Sequence, residues 1–343
     1  YERASKLLNC RNNLITIFED SNSGYKSAKN FGTEKICLIL HGNTSDYVKN
    51  SDEYKIEDYN DFDVTKMTKD NEKVKLTELI KEKLHYYPIR NINLNNKSLK
   101  TGYICDIKSL TLNFNDSNQN VVLKISNDDN DLSDIAKKIN LYDNETYFYK
   151  KLSKVVNLPS PEFYCHLNIG NRDALLLDDL NSYNGSFNLD LNNDIDLILE
   201  VTKQVSNMHN RFLFKNESEV IDSMKNVSKM SDMTYYKKLV DDRYNLFIKQ
   251  NKFLLNDNDV NLLNKVNDIY YDVIELCSTF PLSFCHGDMK SPNIFYKYNK
   301  EPIFLDWQYI QLNKGISDIT FLLTESTDFN PVLNDLVIKY YYK

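Results

Sequence analysis

His286, Asp288, Asn293 and Asp306 lie in one stretch, FCHGDMKSPNIFYKYNKEPIFLDWQ (284–308), at spacings that suit phosphoryl transfer. A positioned Asp orients a hydroxyl nucleophile and accepts its proton. An Asn and a second Asp hold the metal that neutralises nucleotide phosphates. Hard cations such as Mg2+ take oxygen ligands, which carboxylates and amides supply. The plain alternative is a solvated hairpin with chance acids, because Asp and Asn abound in this chain. Four fixed positions between apolar strands weigh against it.

The flanking residues say how these groups are positioned. Ile294–Tyr296 has strand propensity, 298–301 reads as a polar turn, and Pro302–Leu305 reads as a returning strand with Pro tolerated at its start. Centred on Asn299–Lys300, this hairpin sets Asn293 opposite Asp306, a separation of roughly 4.5–5.5 Å in an antiparallel pair. Upstream, VVLKI (121–125) is a short strand carrying Lys124, and Leu132–Val156 is helical. Thr101–Phe114 reads as one or two strands around Gly102, and LLLDDL (175–180) as a strand running into a connector. Leu76, Leu79, Ile80 and Leu84 repeat at helical spacing. Asp194–Phe214 is a long helix, with Ile195, Ile198, Val201, Val205, Met208 and Phe212 near one face, and Asn261–Cys277 is another. In the first 74 residues, KICLILH (35–41) is a buried strand and 43–73 is polar loop or linker. Strands early and helices late predict an α+β arrangement.

The string HGDxxxxN, then a strand, then DW, resembles the small-molecule kinases of the protein-kinase-like superfamily. These include aminoglycoside phosphotransferases, choline and ethanolamine kinases, and ecdysteroid-kinase-like enzymes. DWQ is similar to the Asp-aromatic-Gln pattern of the last group, and GISDITFLL (315–323) to its Gly…Asp-Leu helix start. The resemblance covers about Leu76 to Lys343. It implies a two-lobed protein-kinase-like fold: an N-terminal extension (1–74), a small β-rich N-lobe ending in a hinge (75–180), and a larger, mainly helical C-lobe (181–343). By motif match, Asp288 is the catalytic base, Asn293 and Asp306 bind Mg2+, and His286 buttresses the catalytic loop. Lys290 resembles the catalytic-loop Lys of protein kinases and either touches the transferred phosphate or is solvated.

In that fold a strand Lys grips the nucleotide phosphates and a helix Glu holds it. The resemblance assigns these roles to Lys124 and Glu145, the latter in NETYFYKKL, with Asp134 and Asp143 as rivals. Gly102 is the one glycine available to a phosphate-covering loop, or else an ordinary turn glycine. Asp178, Asp179 and Leu180 match the connector whose backbone meets the adenine edge; otherwise they are a strand end with two solvated acids. His209, in VSNMHNRF, reads as a packed core His. Asp318 reads as a helix N-cap, and the resemblance implies that it also steadies the catalytic loop.

The resemblance implies ATP-dependent transfer of the γ-phosphate to a hydroxyl of a small molecule such as an alcohol, amino alcohol, sugar or sterol. A protein kinase and an inactive nucleotide-binding module are the competing readings. DWQ in place of DFG, and the lack of an APE-like segment, count against the first. Retention of the catalytic residues counts against the second. A choline-like acceptor would want aromatic walls, which Trp307 and the many Tyr offer.

Composition bounds the rest. At 343 residues with 41% hydrophobic content the chain holds one large two-lobed domain or two ordinary ones. Its net charge of −7 gives no basic footprint for nucleic acid. No apolar run approaches the roughly 20 residues of a membrane span, no signal peptide is visible, and no protein partner is implied. Six scattered cysteines without a CxxC pair fit reduced thiols in a cytoplasmic protein. The chain starts at Tyr1 rather than Met, so its native start is expected to be missing. Family members usually run beyond Lys343, so either the C-terminus is expected to be incomplete or the acceptor pocket to be built differently.

Overall fold

The computed structural model describes residues 1, 15–33, 35–40, 53–57, 75–101, 104–127, 131–187, 189–232 and 234–343. Gly102 and most of the 43–73 stretch lie outside the described residues. The chain divides into two compact units, Tyr1–Ile92 and Asn93–Lys343.

In the first unit, β1 (Thr16–Glu19), β2 (Lys35–Ile39) and β3 (Tyr54–Ile56) form a parallel sheet in the order β1-β2-β3. Parallel neighbours need a crossover, and α1 (Asn22–Phe31) supplies it between β1 and β2. Ser21 caps α1 by accepting the Gly24 N–H, and Gly32 closes it at φ 79. Ile17, Tyr25, Ala28, Ile36 and Leu38 form the core between helix and sheet. The predicted strand at 35–41 is β2. Helix α2 (75–83) buries Leu76, Ile80 and the adjoining Leu84, as their spacing predicts.

The second unit has the expected α+β arrangement. Its five-stranded sheet has the order β4-β5-β6-β8-β7, formed by β4 (Asn91–Thr101), β5 (Cys105–Asn113), β6 (Asn118–Ser126), β7 (Phe163–Ile169) and β8 (Arg172–Asp178). In β6, Val121, Leu123 and Ile125 are buried on one face. Side chains alternate along a strand, so Lys124 emerges on the other. Helix α3 (Asp131–Lys138) ends before Asn140, whose left-handed backbone (φ 59) starts α4 (Leu141–Tyr147). One predicted helix over 132–156 is therefore two, with α4 continuing through a π-helical turn (Phe148–Leu152) into Ser153–Val156.

Helices dominate the rest: α5 (Ile195–Arg211), α6 (Thr234–Asn251), α7 (Asp257–Cys277), α8 (Ile316–Ser326) and α9 (Pro331–Tyr341). Two small sheets hold the motif segment among them. One orders β10 (Leu213–Phe214), β11 (Leu282–Cys285) and β14 (Gln311–Asn313). The other orders β13 (Pro302–Phe304), β12 (Ile294–Lys297) and β9 (Gly185–Phe187). The long helix at 194–214 appears as α5, capped by Asp194. It buries the expected face except Ile195, which is exposed.

The motif hairpin forms, but one residue out of the expected register. Ile294 pairs with Phe304, Phe295 with Ile303 and Tyr296 with Pro302. Asn293 therefore lies opposite Leu305, whose N–H donates to the Asn293 carbonyl at 2.9 Å. The cause is an odd loop. Lys297 bonds Glu301 across three residues, and Lys300 adopts a left-handed backbone (φ 65) to close the turn.

Trp307 sits at the centre of the unit's main core and is fully buried. Its ring stacks on Phe148 at 3.9 Å and 7°, lies 4.5 Å from His286, and donates its indole N–H to the Phe304 carbonyl at 3.1 Å. It therefore cannot line an acceptor pocket, because no edge reaches solvent; the sequence reading offered it as an aromatic wall. Trp307→Ala is expected to cost about 3–5 kcal/mol. Denaturant unfolding checks this.

Candidate active site

Strand β11 delivers the chain into the loop 286–293. His286 is fully buried, and two hydrogen bonds set its tautomer. Its Nδ1 accepts the Asp288 N–H at 3.2 Å, so its Nε2 donates to the Leu305 carbonyl at 2.8 Å. Gly287 takes φ 82, and a Cβ there would strike the Tyr309 carbonyl oxygen, so glycine is required. Asp318 anchors both residues from α8. Its carboxylate accepts the His286 N–H at 2.7 Å and the Gly287 N–H at 2.9 Å. It also accepts a hydrogen bond from His209 Nε2 at 3.1 Å. Asp318 is not the helix cap, since α8 begins at Ile316 after Gly315. Its side chain points back to the loop because three N–H donors converge there.

Asp288 follows with its carboxylate held from two sides. Lys290 Nζ lies 3.0 Å from Oδ1, and the Asn293 amide donates to Oδ2 and to the Asp288 carbonyl, both at 2.9 Å. Burial pushes the Asp288 carboxyl above its usual range, and Lys290 partly offsets this. With the Asn293 NH2 spent on Asp288, its Oδ1 has no hydrogen-bond donor among the described residues.

The opposite wall comes from the five-stranded sheet and α4. Lys124 Nζ meets Glu145 at 2.7 and 2.8 Å and Asp306 Oδ1 at 2.6 Å. Burial alone would lower the Lys124 ammonium, but the Asp306 and Glu145 carboxylates hold it well above its usual value. Burial raises Glu145, with Lys124 opposing, whereas Lys124 outweighs burial at Asp306 and lowers it. Asp134 and Asp143 are exposed, so Glu145 is the Lys partner. Asp306 lies past the end of β13 with a left-handed backbone (φ 63). That turn, rather than cross-strand opposition to Asn293, brings its side chain to Lys124. Asp288, Asp306 and Glu145 set three carboxylates against the two ammonium groups of Lys124 and Lys290. Asn293 Oδ1 and the Asp306 carboxylate are oxygen ligands of the kind that hard divalent cations take.

A sequence profile of the ecdysteroid kinase-like family matches residues 101–343, which hold every group just described. The chain belongs to the ecdysteroid kinase-like family. Among solved structures, it is similar to the choline kinase LicA from Streptococcus pneumoniae, at 14% identity over 77% of this chain and 79% of that one, with a TM-score of 0.46. It is also similar to the macrolide 2'-phosphotransferase MphH from Brachybacterium faecium, at 10% identity over 78% and 82%, with a TM-score of 0.48. A third similar structure is the gentamicin complex of APH(2")-IIa, at 16% identity over 77% and 80%, with a TM-score of 0.47. No curated protein sequence matches the chain.

Other expected residues of this ecdysteroid kinase-like chain fall as follows. Asp178 and Asp179 are buried, not solvated. The Asp178 carboxylate accepts hydrogen bonds from Gln119 and Tyr183, and Asp179 caps the short 3-10 turn Leu180–Ser182. Their backbone N–H groups are engaged by Glu162 and Asn120. His209 is buried as expected, with Nδ1 at 3.1 Å from the Tyr341 hydroxyl of α9. His209, Cys285 and Asp318 bring ligand atoms within 4.8 Å of one another. Asp318 already spends both oxygens on N–H donors, and burial holds the Cys285 thiol well above its usual range, so the trio suits a packed core better than a metal. Cys37, Cys105, Cys277 and Cys285 are free thiols. No described helix is long and apolar enough to cross a membrane. Sequence reasoning assigned no role to Gln308, Asn144 or Tyr341. The DWQ pattern was the available signal for the first.

Proposed function

We propose that this chain is an ATP-dependent phosphotransferase acting on a hydroxyl of a small molecule, an alcohol, amino alcohol, sugar or sterol. The observation that carries it is a pair of hydrogen-bonded groups, Lys124 with Glu145 and Asp306, and Asp288 with Asn293, near enough that the Asp306 charge acts on the Asp288 carboxyl. Membership of the ecdysteroid kinase-like family supports it. Lys124 binds the phosphates of ATP, with Glu145 fixing its ammonium. Asp288 orients the acceptor hydroxyl and takes its proton, and Lys290 sits where it can meet the transferred phosphoryl group. Asn293 and Asp306 would hold Mg2+, which when bound neutralises charge on the phosphates. Catalysis of this kind is mostly positioning and electrostatics. A cytoplasmic location suits the free thiols, and the small-molecule acceptor is the one partner invoked.

Turnover assays with Mg2+ and ATP over alcohols, amino alcohols, sugars and sterols test the reading. ATP-dependent phosphorylation of one class is the expected result. Transfer to polypeptides alone, or no nucleotide binding at millimolar concentration, would reject it. Lys124→Met is expected to weaken ATP binding at least tenfold, because a charged hydrogen bond to phosphate is worth about 1.5–3 kcal/mol. Titration calorimetry measures it.

A further inference from the structure

Gln308 is almost fully buried, and its side-chain Nε2 and backbone carbonyl meet α4 and β5. Its side-chain Nε2 donates to Glu145 Oε2 at 3.2 Å and lies 3.6 Å from Cys105 Sγ. Its backbone carbonyl accepts the Asn144 amide at 3.0 Å. Two consecutive α4 residues are thus tied to one residue, placed two positions after Asp306. Together with the contacts of Lys124 to Glu145 and Asp306, this closes a ring: Asp306, Lys124, Glu145, Gln308.

We infer that Gln308 is a positioning residue: it clamps the Asp306 loop to α4 and, through Glu145, fixes where Lys124 presents its ammonium to the nucleotide. The inference rests on the nucleotide-binding role given to Lys124 above. An ammonium between two carboxylates is held by charge, and charge is not directional, so either carboxylate can swing without losing much attraction. The amide N–H of Gln308 is directional and reaches one Glu145 oxygen. Lys124 meets that same oxygen at 2.7 Å and the other at 2.8 Å, so the amide orients a carboxylate whose two oxygens both face the ammonium. The second tie, from Asn144, keeps the loop backbone level with that turn of α4. Side chains of other types lack one requirement: Glu would repel Glu145, and Met or Leu would take the directional amide donor from Glu145 Oε2 and leave that oxygen to the ammonium of Lys124.

Gln308→Met keeps the length of the side chain and removes the amide. Two measurements follow the clamp. One is Mg·ATP affinity by calorimetry. The other, made without nucleotide, is the acylation rate of Lys124 by an amine-reactive ester, read by peptide mass spectrometry. Gln308→Met is expected to weaken nucleotide binding roughly tenfold and to speed Lys124 acylation several-fold. In a Glu145→Ala background the same substitution is expected to add almost nothing, because the amide acts through that carboxylate. Unchanged Lys124 reactivity, or effects that simply add in the double variant, would overturn the clamp. If wild-type protein binds no nucleotide yet Gln308→Met still unmasks Lys124, the phosphotransferase reading fails and the clamp stands. Should Gln308→Met not fold, Asn144→Ala cuts the backbone tie alone. It is expected to speed Lys124 acylation in the same direction, and no change there would count against the clamp.

Discussion

Asp288→Ala lowers turnover by about two to four orders of magnitude, the span of a positioned proton acceptor, while nucleotide affinity and folding stay close to wild type. The asymmetry follows from what touches this side chain. Its carboxylate is held by Lys290 at 3.0 Å and by the Asn293 amide at 2.9 Å, and neither contact belongs to the core. The Lys124 ammonium, to which the proposal gives the phosphates, sits elsewhere, between Glu145 and Asp306. The Asp288 backbone N–H, which bonds His286, survives the substitution. Asp288→Asn sharpens the comparison, because it keeps the shape and one acceptor but takes no proton. Steady-state rates set beside calorimetric ATP affinity decide the matter. An equal loss of both would make Asp288 a structural residue and remove the base from the mechanism.

The second large effect is on the fold. Asp318→Asn is expected to destabilise the protein by about 3 kcal/mol or more, since three buried N–H donors share its carboxylate and each buried donor left unsatisfied costs about 1–3 kcal/mol. One amide oxygen cannot serve the three donors from His286, Gly287 and His209. The NH2 group must then face another N–H. Turnover should fall as well, because the loop bearing Asp288 loses its anchor. The pH dependence has a definite sign. Burial alone would raise the Asp318 carboxyl, but the hydrogen bond from His209 and the Gly287 N–H outweigh it and hold it below its usual range. A carboxyl lowered in the folded state contributes stability that is fully present above its unfolded value, about 3.9. That contribution is lost as pH falls through the lower folded value. Wild-type denaturation midpoints should therefore drop in acid more steeply than those of Asp318→Asn. Parallel curves from pH 7 to pH 2 would show that the Asp318 charge contributes nothing.

Much of the candidate site's 286–293 loop was legible because its groups are close in sequence. His286, Asp288 and Asn293 are joined by hydrogen bonds within one loop, so spacing alone set their order and reach. The α+β class and the burial of helix faces were legible through hydrophobic period, which local geometry imposes. The hairpin register was not, because it turned on the left-handed backbone of one residue, Lys300, and a three-residue loop reads much like its two- and four-residue alternatives. Trp307 looked like a surface for a cationic acceptor, yet it stacks on Phe148, more than a hundred residues earlier in the chain. No local pattern marks an aromatic as core rather than wall.

By itself, then, the sequence determined the chemistry available: a loop with a base, an amide and a carboxylate, and a strand Lys with a helix Glu downstream. Those depend on residue type and short spacing. Tertiary structure decided which of them meet. Asp306 reaches Lys124 across 182 positions, Gln308 reaches Glu145 across 163, and Asp318 reaches back to the loop N–H groups across 32 and 31. Contacts at such separation are set by how sheet, helix and core pack together, and packing is a property of the whole chain that no segment carries alone.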